Sequence, residues 1–454
     1  MAPSGIKQDT ILRHFLITVL CLLLLGMFFG WIGALQYISP GFLKNQLSFE
    51  RVRPLHVSSV VFWIIFGAAT CAFIYLKEYL SANLFSWKLL KWAYVLFLLT
   101  TLIILGSYVL GIFGGREYWE FNPALAIPIT IVWIVLLINF LKSLKSFKKQ
   151  PVYILMWLTG FCFFLFTYLE SNLWLIPYFR SNVVHELTIQ WKSYGAMVGS
   201  WNMLIYGSSI YLMDKISGST EYGFSKIAFG IYFLGLFNLM FNWGHHIYTL
   251  PTHAVIKNIA YVVSMTELLL LVRIIFLWKK SLSTAIKYFH YVPYKFLMAA
   301  DFWIFFTLAL AIPMSIPAIN IYTHGTHVTV GHTMGATIGI NTMLLLAFVF
   351  DSIEKSQKIS PEKIKKFNRL YWVANGSLLC FWLSLVIAGF IKGVWQVQPQ
   401  SVPFSSMMAG LKPYFMVFFI AGSLLFLSLA TFVIMALSAL LKKNPLAPQP
   451  HTTV

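Results

Sequence analysis

Charged residues are scarce in this 454-residue sequence, at 10% of the chain, and acidic ones are the scarcest, with 14 Asp and Glu against 33 Lys and Arg. Soluble globular domains carry about 25% charged residues, so this composition excludes an ordinary water-soluble protein. Cysteine is also rare, and none of the four cysteines is spaced as CxxC or CxxCH. The missing motif excludes covalent attachment of a c-type haem, and four cysteines in apolar runs argue against a disulfide framework.

Apolar residues take the place of the missing charged residues: 59% of the sequence is hydrophobic. The first apolar run, Ile11–Ile38, is longer than the core of a signal peptide and lacks a small-residue cleavage site, so it predicts a true first membrane span. No loop is long enough to fold alone. The sequence therefore predicts an all-α integral membrane protein that forms a single domain over residues 1–454.

Twelve apolar runs are long enough to cross a hydrocarbon core about 30 Å thick. They lie near residues 12–37, 55–78, 89–113, 123–141, 152–178, 184–213, 223–250, 254–278, 296–319, 326–350, 370–391 and 411–440. An even number of spans puts both termini on one side of the membrane. Basic clusters such as Lys142–Lys149 and Lys355–Arg369 fall on that side, which the positive-inside rule makes cytoplasmic. Topology thus accounts for the net charge of +19, and we predict membrane lipid and no nucleic acid as a partner.

The stretch Tyr322–Gly339 is unusually polar for the start of an apolar span, and it carries His324, His327, His332 and Met334. His332 and Met334 are two residues apart, so on an α-helix they point to nearly opposite faces. Two such ligands on opposite faces of one membrane helix are suited to hold two separate haems. The alternative is a buried polar patch in a transporter without cofactors.

Other candidate ligands lie at a similar depth in the predicted membrane topology. His56 begins the second predicted span, His245 and His246 end the seventh, and His332 and Met334 lie near the start of the tenth. The predicted topology places all five in the outer half of the membrane. Polar residues within spans are costly and are usually functional, so the coincidence favours one shared site.

With these residues the chain resembles the haem-copper oxidase superfamily, and within it the catalytic subunit of bacterial nitric oxide reductase. The resemblance covers nearly the whole chain. The matching motifs are His56 at the start of the second span, GGREYWE at Gly114–Glu120 in the following outer loop, WGHH at Trp243–His246 on the seventh span, Glu267 on the eighth, and YTHG at Tyr322–Gly325 followed by His332.

The resemblance implies two haem b groups and a non-haem metal. His332 would be the axial ligand of a high-spin haem b, and His56 would bind a low-spin haem b. His245 and His246 would bind the non-haem metal, which is iron in the reductases and copper in the oxidases; imidazole suits either. Glu117 and Glu120 would lie near the haem propionates, where the reductases hold calcium. Carboxylates beside propionates require a bound cation or protons, because the negative charges otherwise repel. The alternative for Glu117 and Glu120 is ordinary loop solvation.

The sequence departs from the family at the second ligand of the tenth span, where the family has histidine and this chain has Met334. We infer a low-spin haem held by His56 and Met334. Thioether ligation raises the haem potential relative to two histidines, so this haem should be harder to oxidise. The alternative is that Met334 only packs, and that this haem is five-coordinate or absent.

A second departure concerns the third metal histidine, which the family supplies from the sixth span. That position falls on Tyr194 or Gly195, and the family's nearby acidic ligand falls on Val198. The only histidine in this span, His185, would lie roughly 14 Å nearer the outer end of an ideal helix. Three outcomes remain open: Glu267 completes a two-histidine, one-carboxylate iron site, Tyr194 supplies a phenolate, or no second metal binds. We favour the first.

Glu267 lies deep in an apolar run, where a charge costs roughly 2.5–3.5 kcal/mol at mid-membrane. It therefore needs a metal, a proton or a partner, and if it is no ligand it is suited to supply protons to the site. A neutral Glu267 hydrogen-bonded between helices is the structural alternative. Lys192 and Arg273 are further charges within predicted spans, with the haem propionates or Asp301 as candidate partners.

The resemblance implies the reaction 2 NO + 2 e⁻ + 2 H⁺ → N₂O + H₂O in a bacterial inner membrane. Without a haem c of its own, the chain would need a cytochrome c-type or other redox subunit on the outer face. Oxygen reduction is disfavoured, because the tyrosine that oxidases place shortly before the histidine pair is missing; Asn238–Met240 occupy that stretch. The alternative is a haem subunit for electron transfer or gas sensing that lacks the second metal.

Overall fold

Helices make up the regular structure of the chain in a computed structural model, which describes residues 4–266, 280, 287, 289–353, 361–398 and 402–442. The first half contains α1 (Ser4–Ile38), α2 (Phe49–Leu80), α3 (Trp87–Val109), α4 (Ala126–Ser143), α5 (Val152–Glu170), the short α6 (Pro177–Arg180), α7 (Val183–Ser217), α8 (Lys226–Phe241) and α9 (Ala254–Thr266). The second half contains α10 (Tyr291–Ser315), α11 (Pro317–Thr323), α12 (His327–Met334), α13 (Met343–Ile353), α14 (Pro361–Val397), α15 (Phe404–Gly410) and α16 (Lys412–Leu441).

Within these ranges, ten helical segments are long and apolar enough to cross a membrane. They are Lys7–Ile38, Phe49–Leu80, Trp87–Val109, Pro123–Ser143, Val152–Leu175, Lys226–Ile247, Tyr291–Ser315, His327–Ile353, Pro361–Val397 and Lys412–Leu441. The all-helical membrane architecture predicted from the sequence is confirmed, with ten candidate spans in the described part of the chain in place of the predicted twelve.

The two remaining predicted spans differ from the others for identifiable reasons. The predicted span 184–213 is covered by α7, which is long enough, but polar residues such as Ser200, Asn202 and Ser208 interrupt its apolar run. The predicted span 254–278 begins with α9, a shorter apolar helix, and its residues from 267 onward lie outside the described residues. The proposed ligand Glu267 and the charge Arg273 are among them.

The helices pack mainly as sequence neighbours, and α2 is at the centre. α1 packs along α2 and also contacts α16, α5 packs on α7, and α14 packs on α16. Side-chain caps define the starts of several helices: the Asn182 side chain accepts from the backbone N–H groups of Val184 and His185 at the start of α7. Such caps satisfy backbone donors that a helix end otherwise leaves unpaired.

An ion cluster around the buried Asp351 ties three helices together at the end of the bundle opposite His56. Lys215 of α7 lies 2.8 Å from Glu78 Oε1 of α2 and 2.8 Å from Asp351 Oδ2 of α13. The Tyr75 hydroxyl donates to the same Asp351 oxygen at 3.1 Å. Because only 3% of the Asp351 side chain is exposed, Lys215 supplies the charge that makes its burial tolerable.

Three short irregular segments interrupt the helices near the candidate ligands. Asn242–Ile247 forms a 3₁₀ turn after α8, and Gly335–Thr342 forms a π-helix between α12 and α13. Gly325 has φ +68°, a left-handed conformation that glycine adopts without strain, and it separates α11 from α12. π-helical segments are rare and frequently lie at functional sites, so the one that follows Met334 indicates that a functional site lies nearby.

Candidate haem and metal centre

His245 and His246 lie side by side on the 3₁₀ turn that follows α8. Their ring centroids are 4.1 Å apart, with an angle of 38° between the ring planes. His245 Nδ1 is 3.0 Å from Asn242 Oδ1, and the His246 ring stacks on Trp191 of α7 at 4.9 Å and 10°. Two adjacent imidazoles held in fixed orientations are a suitable start for a metal site.

His332 of α12 lies close enough to the same turn to interact electrostatically with both His245 and His246, and so does His324. Asn320 of α11 donates from Nδ2 to the backbone oxygen of His245 at 3.4 Å, which ties the turn to the segment leading into α12. The fold therefore brings together the predicted metal pair and the predicted high-spin haem ligand.

His332 is partly buried, and its Nδ1 is a buried atom that makes no hydrogen bond of normal geometry, although the Thr307 backbone interacts with the ring. Thr307 Oγ1 and Trp382 Nε1 are also buried without partners. Both are the neighbours that a side chain on Gly335 would meet first, at 2.7 and 3.2 Å. Buried polar atoms without a hydrogen-bond partner are rare in native protein structures. Their presence beside His332 fits a site that holds a further group.

His56 is held in a different manner, between α2 and α1. Its Nδ1 lies 2.7 Å from the backbone oxygen of Gly26, and since a carbonyl only accepts, Nδ1 carries the proton. Nε2 is then the nitrogen with a free lone pair, as a metal ligand requires. A side chain on Gly30 would meet His56 Nδ1 at 2.7 Å, so glycine at this position allows the ring its place. His56 therefore fits the predicted role of a haem ligand.

Met334 ends α12, is partly buried, and packs against the main hydrophobic core. The π-helix that follows it approaches α10 closely: a side chain on Gly339 would overlap the Trp303 ring. Further along, Trp63 of α2 donates to Thr342 Oγ1 at 3.2 Å. The helix of His56 and the segment after Met334 thus pack together, while haem ligation by Met334 stays a prediction.

Glu117 and Glu120 lie in the outer loop and share one cation, Arg53 of α2. Arg53 Nη2 donates to Glu117 Oε1 at 2.5 Å, and Nη1 donates to Glu120 Oε1 at 2.7 Å. Burial raises the pKa of Glu120, with Arg53 opposing the shift. Burial, reinforced by the Glu117 charge, raises the pKa of Tyr118 to about 12.

Calcium prefers six to eight oxygen ligands, and here each carboxylate already spends one oxygen on Arg53. No group of three or more His, Cys, Asp or Glu side chains suited to hold a metal occurs within the described ranges. The donor set around Glu117 and Glu120 therefore fits calcium poorly, because an internal guanidinium already occupies one oxygen of each carboxylate and offsets part of their charge.

Tyr194 lies on the α7 side of the site but packs toward the outer loop. Its ring meets Tyr118 at 5.0 Å, edge to face. Together with Arg116 and Trp174 it lines a small cleft. His185 is exposed and stacks on Tyr178 at 5.3 Å, at the outer end of α7. Glu267, the other candidate for a third ligand, lies outside the described residues, so the third ligand stays a prediction.

Several residues that shape the site were missed by the sequence analysis. Asn242, Trp191 and Arg53 are polar or aromatic residues beside a predicted ligand, and only the contact in space shows what they do. Lys192 pairs with Glu170 of α5, a partner that the sequence did not suggest when it pointed to propionates or Asp301. Arg116 pairs with Glu186 at 2.6 Å and lies over the Trp174 ring.

Comparison with known proteins gives a consistent picture. The family profile described as cytochrome c and quinol oxidase polypeptide I matches residues 10–424. A nitric oxide reductase subunit of Stutzerimonas stutzeri is 21% identical over 94% of both chains. The cbb3-type cytochrome c oxidase subunit CcoN1 of the same organism is 23% identical over 94% of this chain and 93% of its own length.

Among solved structures, a cryo-EM structure of a haem-copper terminal oxidase dimer has a TM-score of 0.73 and 16% sequence identity. The match covers 99% of this chain and 86% of that one, and at this identity it supports the fold alone. The family profile spans most of the chain and confirms the resemblance drawn from the histidine motifs. The chain therefore belongs to the haem-copper oxidase subunit I family, whose members are membrane oxidoreductases that bind haems and a metal at a binuclear centre.

Proposed function

We propose that this protein reduces nitric oxide to N₂O by the reaction 2 NO + 2 e⁻ + 2 H⁺ → N₂O + H₂O. The observation that carries the proposal is the histidine pair: His245 and His246 lie 4.1 Å apart, ring to ring, and both interact with His332 on the opposite helix. The similarity to the nitric oxide reductase subunit of Stutzerimonas stutzeri over 94% of both chains supports the same reading.

The residues present fit the groups that this reaction needs. His332 would hold one haem b, His56 and Met334 would hold the other, and His245 and His246 would hold a non-haem iron, or copper in its place. When bound, these groups supply electron transfer and a Lewis acid for NO. The buried, unpartnered polar atoms beside His332 and the free Nε2 of His56 are the structural observations that support this assignment.

The chain's own residues would orient the ligands and neutralise charge. The Gly26 carbonyl fixes the His56 ring, and Trp191 fixes the plane of His246. Arg53 offsets part of the charge of Glu117 and Glu120 at the outer face, where the reductases hold calcium. Glu267 is proposed as the third metal ligand, or as the carboxyl that supplies protons, with Tyr194 as the other candidate for either task.

The proposed setting is a bacterial inner membrane. Twelve spans of a single domain would place both termini in the cytoplasm and the histidine ligands in the outer half of the membrane. Lipid surrounds the chain, and a cytochrome c-type or other redox subunit on the outer face would deliver electrons to the His56 haem. The basic clusters on the side of the termini support this orientation.

The test begins with the haem, iron and copper content of the detergent-purified protein, followed by NO consumption and N₂O formation with a chemical reductant. We expect two haems and one further metal per chain, and N₂O as the product. His245→Ala should lose the further metal, while His185→Ala, an exposed histidine at the outer end of α7, should retain it. Two haems without any further metal in the wild type would refute the proposal.

The same preparation tests the third ligand. Glu267→Ala should lose the further metal if Glu267 is a ligand, and should retain the metal but lose turnover if Glu267 supplies protons. A variant with unchanged metal content and unchanged N₂O formation would exclude both roles for Glu267.

A second candidate is a haem subunit for electron transfer or gas sensing that holds no second metal. It is favoured by one observation: the described residues contain no group of three side chains of metal-ligand type. It predicts two haems, no further metal and no N₂O. Oxygen reduction is a third candidate because cytochrome oxidases are also among the relatives, and oxygen uptake with the same reductant tests it.

A further inference from the structure

Asn242 precedes the histidine pair by one 3₁₀ turn, and its side chain reaches the His245 ring. Residues i and i+3 of a 3₁₀ helix lie one above the other, so the turn itself brings the Asn242 amide to His245. Asn242 Oδ1 and His245 Nδ1 are 3.0 Å apart. This hydrogen bond is made to the ring itself, so it acts on the orientation and the protonation of the imidazole.

The direction of this hydrogen bond decides which ring nitrogen can bind a metal. A neutral imidazole carries its proton on Nδ1 or on Nε2, and only the nitrogen without the proton is a ligand. The amide oxygen accepts, so it holds the proton on Nδ1. The Asn242 side chain therefore favours the Nδ1–H tautomer of His245.

We propose that Asn242 is a positioning residue: it fixes His245 as the Nδ1–H tautomer and so presents Nε2 to the metal. This inference rests on the proposed function, because it assumes that the histidine pair holds a metal. Hydrogen bonds from outside the ligand shell orient metal-bound histidines, and their loss typically costs about 10- to 100-fold in metal affinity.

His246 shows why His245 needs this support. The His246 ring is fixed by stacking on Trp191, which sets its plane but favours neither tautomer. The contact of the His245 ring with His246 is tilted by 38°, so it offers no such flat platform. Asn320 holds only the His245 backbone oxygen, at 3.4 Å. Asn242 is thus the side chain that orients the His245 ring itself.

The test uses the purified holoprotein and three variants. Asn242→Ala removes the acceptor, Asn242→Asp keeps an acceptor at the same reach, and Asn45→Ala makes the same truncation at an exposed site on the loop after α1. After removal of the non-haem metal by chelation, Fe²⁺ is titrated back under anaerobic conditions against a competing chelator. Haem content and the visible spectrum report whether the fold is intact.

We expect Asn242→Ala to lower the affinity for Fe²⁺ by about 10-fold or more with both haems retained. Asn242→Asp and Asn45→Ala should stay within about threefold of the wild type. If Asn242→Ala binds Fe²⁺ as tightly as the wild type, the inference is overturned.

A second readout separates this inference from the proposed function and does not depend on iron binding by the Asn242 variants. In protein labelled with ¹⁵N at histidine and freed of the non-haem metal, the His245 signals, identified by their loss in His245→Ala, report the tautomer. An Nδ1–H tautomer supports the role of Asn242 even if the wild type binds no further metal, in which case the proposed function fails alone. An Nε2–H tautomer overturns the inference whatever the metal content.

Discussion

His56 and the histidine pair His245–His246 are held by two different kinds of structure. His56 lies in α2, and 83% of the most apolar stretch of that helix is buried inside the protein. In the segment formed by α8 and the turn that follows it, only 22% of the most apolar stretch is buried. Close packing against α1 holds the His56 ring, with glycine at positions 26 and 30 letting the two helices approach. The pair depends on a few specific contacts with Asn242 and Trp191. The difference predicts that steric changes act on His56, while loss of single contacts acts on the pair.

The largest effect is expected at Gly30. In Gly30→Val the new side chain would start 2.7 Å from His56 Nδ1 and displace the ring from the Gly26 carbonyl. We expect loss of most of the low-spin haem, together with about 1–3 kcal/mol of stability from overpacking. Haem content and the low-spin absorption bands are the measurement. The matched control is Gly106→Val on α3, where a Cβ meets nothing within 4 Å. Unchanged low-spin haem in Gly30→Val would show that His56 is not held as described.

A smaller and separable effect is expected at Gly195 of α7. Its added Cβ would lie 2.7 Å from Trp243 Cβ and 3.2 Å from Trp243 Cα, against the turn that carries the pair. Gly195→Val should therefore lose much of the non-haem metal and keep the low-spin haem, the reverse of Gly30→Val. The measurement is the content of non-haem metal and of low-spin haem in both variants. If Gly30→Val and Gly195→Val each lost both groups to the same extent, the two regions would not be held in different ways.

Trp191→Leu should have a milder effect, because it removes the stacking on His246 but adds no clash. Aromatic pairs are worth about 0.5–1.5 kcal/mol beyond burial, so the affinity for Fe²⁺ should fall by about 2- to 10-fold. Trp92→Leu, at an exposed position of α3, is the control. A fall as large as that expected for Asn242→Ala would mean that ring stacking and tautomer control matter equally.

The smallest effect is expected at Arg53, since ion pairs of half-exposed side chains contribute about 0.2–1 kcal/mol each. Arg53→Gln should lower the melting temperature slightly and leave Glu117 and Glu120 without their shared cation. Calcium should then stabilise the variant more than the wild type, whose melting temperature should not change on addition of EGTA. Tightly bound calcium in the wild type would show that Arg53 and the ion act together.

The candidate ligands could be recognised in the sequence because they are polar residues in apolar spans. His56, His245, His246 and His332 follow from that contrast, and the last three lie near one another. Their roles as haem and metal ligands stay predictions. The number of spans was less predictable: the run 184–213 predicts a span, but α7, which covers it, is too polar to be among the ten candidate spans of the described residues. Asn242, Trp191 and Arg53 could not be assigned, because their roles depend on turns and on helix contacts that periodicity does not encode.

Local geometry was the other part that hydropathy did not reveal. The 3₁₀ turn at Asn242–Ile247 lies where the hydropathy pattern predicts the end of an ordinary span. The π-helix at Gly335–Thr342 lies where the pattern predicts a continuous α-helix. Both follow from contacts between helices, such as the close approach of Trp303 to Gly339, and not from the preferences of single residues.

The π-helix has a consequence for how this chain can change through evolution. A π-helical segment accommodates more residues per turn than an α-helix, so deletion of one residue within Gly335–Thr342 could restore regular α-helical winding. In a regular α-helix, a deletion of one residue turns the parts on either side relative to each other by about 100°. A π-helical segment takes up such a change within its own wider turns. A one-residue change of length at Gly335–Thr342 should therefore redirect His332 and Met334 relative to α13 less than the same change within a regular α-helix.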